Sequence, residues 1–115
     1  MTTERENSTP RLLYMTARDK TEAFQIGEAL VNEKLVACVN IFSGMESIYH
    51  WEGKLCKENE VVVIAKTTSD LVQAVVDRVI KLHSYAVPCV VAIPILEGNP
   101  GFLNWVENET KKAPK

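Results

Sequence analysis

An α+β sandwich of the split βαβ, ferredoxin-like type follows from three features of the amino-acid sequence. Strand-like and helix-like periodicities alternate in the order β, α, β, β, α, β, with one more helix at the end. The middle third, residues 36–68, carries strand-forming residues on both sides of a single tight turn at Trp51, Glu52, Gly53 and Lys54. Apolar residues occupy 46% of the 115 positions, enough for one core, and the chain is too short for a second domain. The expected architecture is an antiparallel four-stranded sheet with two helices on one face, a long central hairpin and an extra C-terminal helix.

Residues 1–10 are mostly polar and are expected to form a flexible tail, leaving residues 11–110 as one domain and 111–115 as a C-terminal tail. Leu12, Leu13, Tyr14, Met15 and Thr16 make a first strand with too few polar positions for an exposed face, so a central place covered on both sides is expected. Asp19, with Glu22 three residues on, reads as a capping box. Behind it Ala23, Ile26, Leu30 and Lys34 fall on one helical face, widened by Phe24, Val31 and Leu35. Gly27 inside this helix costs about 1 kcal/mol relative to alanine, which suggests a close approach to the sheet.

The hairpin has arms of about fifteen residues, and at roughly 3.3 Å per residue each reaches about 50 Å. A compact chain of this length has a radius of gyration near 13 Å, hence a diameter of about 35 Å. The hairpin therefore overhangs its own domain, and Ile48, Tyr49 and Trp51 at its tip need cover from another chain. Gly53 supplies the positive φ of the turn, and Ser43 with Gly44 reads as a bulge. Ser69 is the expected cap of a second helix, in which Leu71, Val75, Val79 and Leu82 form one row and Val72, Val76 and Ile80 another. The fourth strand runs over residues 89–96, where Pro94 points to a sheet edge. Asn99 followed by Pro100 opens the last helix.

Thirteen lysines and arginines against fifteen aspartates and glutamates give a formal charge of −2 and no basic stripe, which argues against nucleic acid as a partner. The longest near-apolar run, residues 86–96, is interrupted by two prolines and falls short of a membrane span, and no signal-peptide core opens the chain. A cytoplasmic protein is expected. Cys38, Cys56 and Cys89 stand singly, without zinc-site or disulfide spacing. No Gly-rich phosphate loop, H-E-x-x-H or nucleophile elbow is present.

Four runs carry a family resemblance: Val36, Ala37, Cys38, Val39, Asn40; then Ser47, Ile48, Tyr49, His50, Trp51, Glu52, Gly53, Lys54; then residues 60–67; then His83, Ser84, Tyr85 ahead of Pro88. In these runs, and in the spacing between them, the chain resembles the CutA family of divalent-cation tolerance proteins over nearly its whole length. The resemblance implies a homotrimer of ferredoxin-like fold, related in architecture to the PII signal proteins, with a link to copper and other divalent metals and no assigned reaction. It also implies a copper site built from the end of the first strand and two positions at the end of the second helix. Those positions are Met15, Leu82 and His83 here, so the ligands expected are His83 and Met15, with Cys89 as a possible substitute and copper held weakly.

Each candidate residue also has a plainer reading. His83 can serve as a helix C-terminal residue facing the dipole, and Cys89 as packing. Lys66, charged at the end of an apolar strand, needs an anionic partner, either Glu60 or another carboxylate. Glu58 and Glu60 alternate on one strand face, which fits paired acid chemistry, a cation site or, more often, a solvated edge. Tyr49, Trp51, Tyr85 and Trp105 line a ligand cleft between subunits or pack at an interface. The favoured function is trimeric binding of a divalent cation or a small anionic metabolite without catalysis. The alternatives are a PII-like sensor, an enzyme using Lys66 and His83 as acid and base, and a scaffold that anchors another protein.

Overall fold

The computed structural model describes residues 8–112. Its elements follow the expected order: β1 (Pro10–Ala17), α1 (Lys20–Asn32), β2 (Cys38–Trp51), β3 (Lys54–Thr68), α2 (Val72–Leu82), β4 (Val90–Pro94) and α3 (Pro100–Asn108). The four strands form one antiparallel sheet in the order β2-β3-β1-β4. Pro94 thus ends a short edge strand, where its missing N–H costs no ladder bond. Most of the two expected tails lies outside the described residues. The described part of the N-terminal one is tied down, because Thr9 exchanges hydrogen bonds with Ser69 through Ser69 N–H to Thr9 O and Thr9 N–H to Ser69 Oγ.

Local chemistry sets the element ends. Asp19 accepts from Glu22 N–H at 2.9 Å and starts α1. Lys34, expected on the buried face of that helix, lies beyond its end at φ 59, in the left-handed region, and turns the chain so that Leu35 N–H returns to Leu30 O. Phe24 and Val31 are exposed, so the buried stripe of α1 is narrower than the periodicity suggests. Ser69 does not cap α2: it opens a single 3₁₀ turn, Ser69–Leu71, and its hydroxyl is taken by Thr9. Asn99 Oδ1 accepts from Gly101 N–H, with Pro100 at the first turn of α3.

The core lies between α1, α2 and one face of the sheet, where Leu13, Met15, Val63, Ala65, Leu30 and Val75 are nearly inaccessible. Gly27 is where α1 comes closest to the sheet, since a Cβ there would stand 2.9 Å from Val39 Cγ2. The alternate residues of the strands, among them Leu12, Tyr14, Val62 and Ile64, are only half-buried, and Phe42, Val91 and Ile93 are exposed. In the single chain β1 is therefore not covered on both sides as expected; its second face is largely open.

The hairpin overhangs as its length demands. Pairing of β3 with β1 stops at Ala17↔Val61, while the β2–β3 ladder continues to Trp51↔Lys54 through a bulge between Phe42 and Met45. The molecule measures 51 × 28 × 24 Å, and its radius of gyration of 15.0 Å exceeds the roughly 13 Å of a compact chain. At the turn both Glu52 (φ 51) and Gly53 (φ 79) are left-handed, the type I′ geometry whose twist matches the flanking strands. Ile48 (69% exposed), Trp51 (51%) and Leu55 (58%) are left on the overhang.

Candidate functional site

The loop between α2 and β4, residues 83–89, runs beside the point where the hairpin leaves the sheet, and its hydrogen bonds fix it there. His83, whose side chain is 1% exposed, approaches Thr16 O through Nε2 at 2.8 Å, while its Nδ1 meets Tyr85 N–H at 3.0 Å. A carbonyl only accepts and a backbone N–H only donates, so Nε2 carries the proton and Nδ1 is the acceptor. Both ring nitrogens are thereby engaged within the chain.

Glu22 anchors the same junction. Its Oε1 accepts from Arg18 N–H (2.9 Å) and stands 3.6 Å from His83 Nε2, and its Oε2 accepts from Ser84 N–H (2.8 Å). The expected reciprocal bond to Asp19 N–H is replaced by these. Loss of hydration, the largest influence, pushes the Glu22 carboxyl up; the bonds from Arg18 and Ser84 and the nearby His83 together outweigh it, and the group lies below its ordinary value. Nothing in the sequence marks this residue beyond its place in the cap, because its partners are brought in by α2.

With the loop held this way, Tyr85 O–H donates to Glu60 Oε2 at 2.9 Å, over one wall of a cleft of about 510 Å³. Tyr49, Trp51, Glu58 and Glu60 form the hairpin side of the cleft, and Thr16, Val87 and Cys89 contribute from β1 and the loop. Strand alternation explains the hairpin side: Tyr49 pairs with Cys56 and Trp51 with Lys54, so these aromatics share a face with Glu58 and Glu60. Glu60 is 7% exposed, which rules out a solvated edge for it. Loss of hydration first, then the hydrogen bond to Glu60, drives the Tyr85 hydroxyl well above its ordinary value. Tyr49 is raised by the same two causes, with Glu58 as its carboxylate partner. Desolvation followed by the charge of Glu60 pushes the Cys89 thiol up, away from reactive thiolate.

Four of the expected cleft residues, Tyr49, Trp51, Glu60 and Tyr85, are thus brought together, and Lys66 is not. Lys66 pairs with Leu12 and Cys38 at the base of the hairpin and donates to Asn40 Oδ1. It lies six positions along β3 from Glu60, about 20 Å of strand. The anionic partner expected for it is therefore replaced by a neutral amide.

The expected metal ligands do not converge either. Met15 is 2% exposed on the face toward the helices, and Cys89 lines the cleft with Thr16, the neighbour of Met15 on the opposite face of β1. His83 has its nitrogens engaged as described. Among the described residues no group of three or more histidines, cysteines, aspartates or glutamates stands close enough to hold a metal ion. Trp105 lies on α3, tilted against Phe102, away from the cleft lining. Of the expected interface residues, Ile48 points to the opposite hairpin face from Tyr49 and Trp51. A second hollow of about 550 Å³, between α1 and β2, holds Phe24, Val39, Ile41 and Phe42 with Glu28 as its one charged group.

Comparison with known proteins agrees with this fold. The sequence profile of the CutA1 divalent ion tolerance protein matches residues 11–109. The divalent-cation tolerance protein CutA of Thermus thermophilus is 40% identical over 99 residues, covering 86% of this chain and 96% of that protein. The chloroplastic CutA 1 of Oryza sativa is 39% identical over 102 residues, and the match spans 89% of this chain but 58% of that longer protein. The crystal structure of CutA1 from Oryza sativa superposes with a TM-score of 0.88 at 38% identity, covering 92% of this chain and 98% of that one. These structures share the ferredoxin-like sandwich. With a profile match that runs from β1 through α3 and a superposition that covers 92% of the chain, the chain belongs to the CutA1 divalent ion tolerance protein family.

Proposed function

We propose that this chain is a non-catalytic cation-binding protein that works as a homotrimer, with the cleft around Glu60 as its binding site. Divalent ions, which the family's description names, are the first ligands to consider, with copper among them on the sequence resemblance. The single observation that carries the reading is Glu60 itself, a carboxylate almost wholly removed from water whose described partner is a phenol hydroxyl rather than a cation. Buried charges are ordinarily paired, and this one faces a cleft that already holds Glu58. Among the described residues no lysine or arginine lines that cleft, so its field favours a cation and disfavours the small anionic metabolite. Trimerisation is supported by the half-open sheet face and by the exposed Ile48, Trp51 and Leu55 of the overhang. Free Cys38, Cys56 and Cys89 suit a reducing compartment such as the cytoplasm.

An acid-base enzyme using Lys66 and His83 has less support. Lys66 pairs with Leu12, His83 reaches Thr16, and these two points lie four positions apart on β1, about 13 Å. Calorimetric titration of metal-free protein with copper(II) and zinc(II) tests the proposal. Glu60→Gln weakens binding at least tenfold, and Met15→Leu, which removes the thioether at nearly constant volume, leaves it unchanged. Binding that follows Met15 instead places the site at the end of β1.

A further inference from the structure

Resting on the reading of the cleft as a cation site, we propose that its ligand class extends to small alkylammonium ions, held between aromatic faces and the paired carboxylates. Three observations separate this from a bare metal ion. The space of about 510 Å³ is the size of a small-molecule site and far larger than one ion. Its carboxylates and thiol are not gathered as a metal-ligand group, since no three such residues converge among the described residues. Its lining includes three aromatic residues, Tyr49, Trp51 and Tyr85, a residue class whose π faces attract organic cations and give a metal ion little to coordinate.

Tyr85 also sets one of the carboxylates. Its O–H donates to Glu60 Oε2, so that carboxylate is oriented by a neutral donor that leaves its charge uncompensated, and Glu58 lines the same cleft. An ammonium head supplies that charge, its alkyl groups contact ring faces and Val87, and it keeps less of its hydration than a divalent metal would. A neutral molecule of the same shape gains the apolar contacts alone.

The experiment uses the full chain in its native assembly, with Trp105→Phe so that Trp51 is the sole indole emitter, and follows fluorescence and calorimetric heat with choline, with tetramethylammonium, and with 3,3-dimethylbutanol as the uncharged isostere of choline. The two ammonium ions bind at least tenfold more tightly than the alcohol, and Glu60→Gln removes most of that difference. Should Glu60→Gln fail to fold, Val87→Lys serves in its place: Val87 is 70% exposed, so the substitution is tolerated, and a lysine at the cleft mouth selectively weakens the ammonium ions. Equal binding of choline and the alcohol overturns the inference. If copper(II) binds in a Glu60-dependent way while no ammonium ion does, the inference falls and the cation-binding reading stands; if neither binds, both fall. If choline gives no signal and Glu60→Gln separates the subunits, the cleft is filled by a neighbouring subunit, and the inference is again overturned.

Discussion

Replacing Glu22 by glutamine keeps the size of a side chain that is 4% exposed and removes its charge. The carboxylate accepts from Arg18 N–H at one oxygen and from Ser84 N–H at the other. A glutamine has one carbonyl oxygen, so its NH₂ must face one of these donors, and a buried N–H without an acceptor costs about 1–3 kcal/mol. The surviving bond changes from charge-assisted to neutral, a further loss of about 1 kcal/mol. Relief from burying a charge offsets part of this, leaving about 2–3 kcal/mol. Because the folded Glu22 lies below its ordinary value of 4.5, its contribution is complete above that pH and is lost as pH falls through the lower folded value. Urea unfolding at fixed protein concentration should therefore show the full difference at pH 7 and a much smaller one near pH 3. Amide exchange at Ser84 and Arg18 should quicken in the variant. Glu28→Gln, exposed on the same helix, is the control and should stay within about 0.5 kcal/mol. A loss under about 0.5 kcal/mol at pH 7, or a gap undiminished at pH 3, would refute the assignment of Glu22 as the junction's acceptor.

Gly27→Ala gains about 1 kcal/mol of helix propensity but drives a Cβ to 2.9 Å from the stiff Val39 side chain, so thermal unfolding should show a net loss of about 0–2 kcal/mol; a clear gain would mean that the helix moves freely over the sheet. Trp51, 51% exposed in the single chain, has about 100 Å² left, shared between the cleft and a neighbouring subunit, so its burial at an interface contributes at most about 2–3 kcal/mol. Light scattering should find three chains for the native protein and concentration-dependent dissociation for Trp51→Glu, with helical circular dichroism retained; an unaltered trimer would exclude the hairpin tip from the interface. His83→Ala strands Thr16 O and Tyr85 N–H and should cost about 3–5 kcal/mol in denaturant unfolding. A loss below about 1 kcal/mol would mean that the loop is held by other contacts.

The readings that transferred to the structure rest on neighbours in the chain. Alternation of side chains sets Tyr49, Trp51, Glu58 and Glu60 on one face of the hairpin, and Tyr85 follows two residues after the histidine that ends α2. The turn at Gly53, the bulge after Phe42, the cap at Asn99 and the edge position of Pro94 are likewise local: each needs only a φ preference or a missing N–H. Even the overhang follows from counting residues along a strand. What stayed hidden depends on partners far apart in sequence. Whether Met15 or Thr16 faces the helices is decided by register, and a shift of one residue exchanges them. Lys66 looked like a site residue because a charge at an apolar strand end needs a partner; which partner, Asn40 rather than a carboxylate, was set by pairing of β2 with β3. The roles of His83 and Glu22 come from α2 ending against the start of α1 and the end of β1, a junction that exists only once the helices have packed. Local preference specifies the elements, and long-range packing decides which polar atoms are satisfied and which remain to meet a ligand.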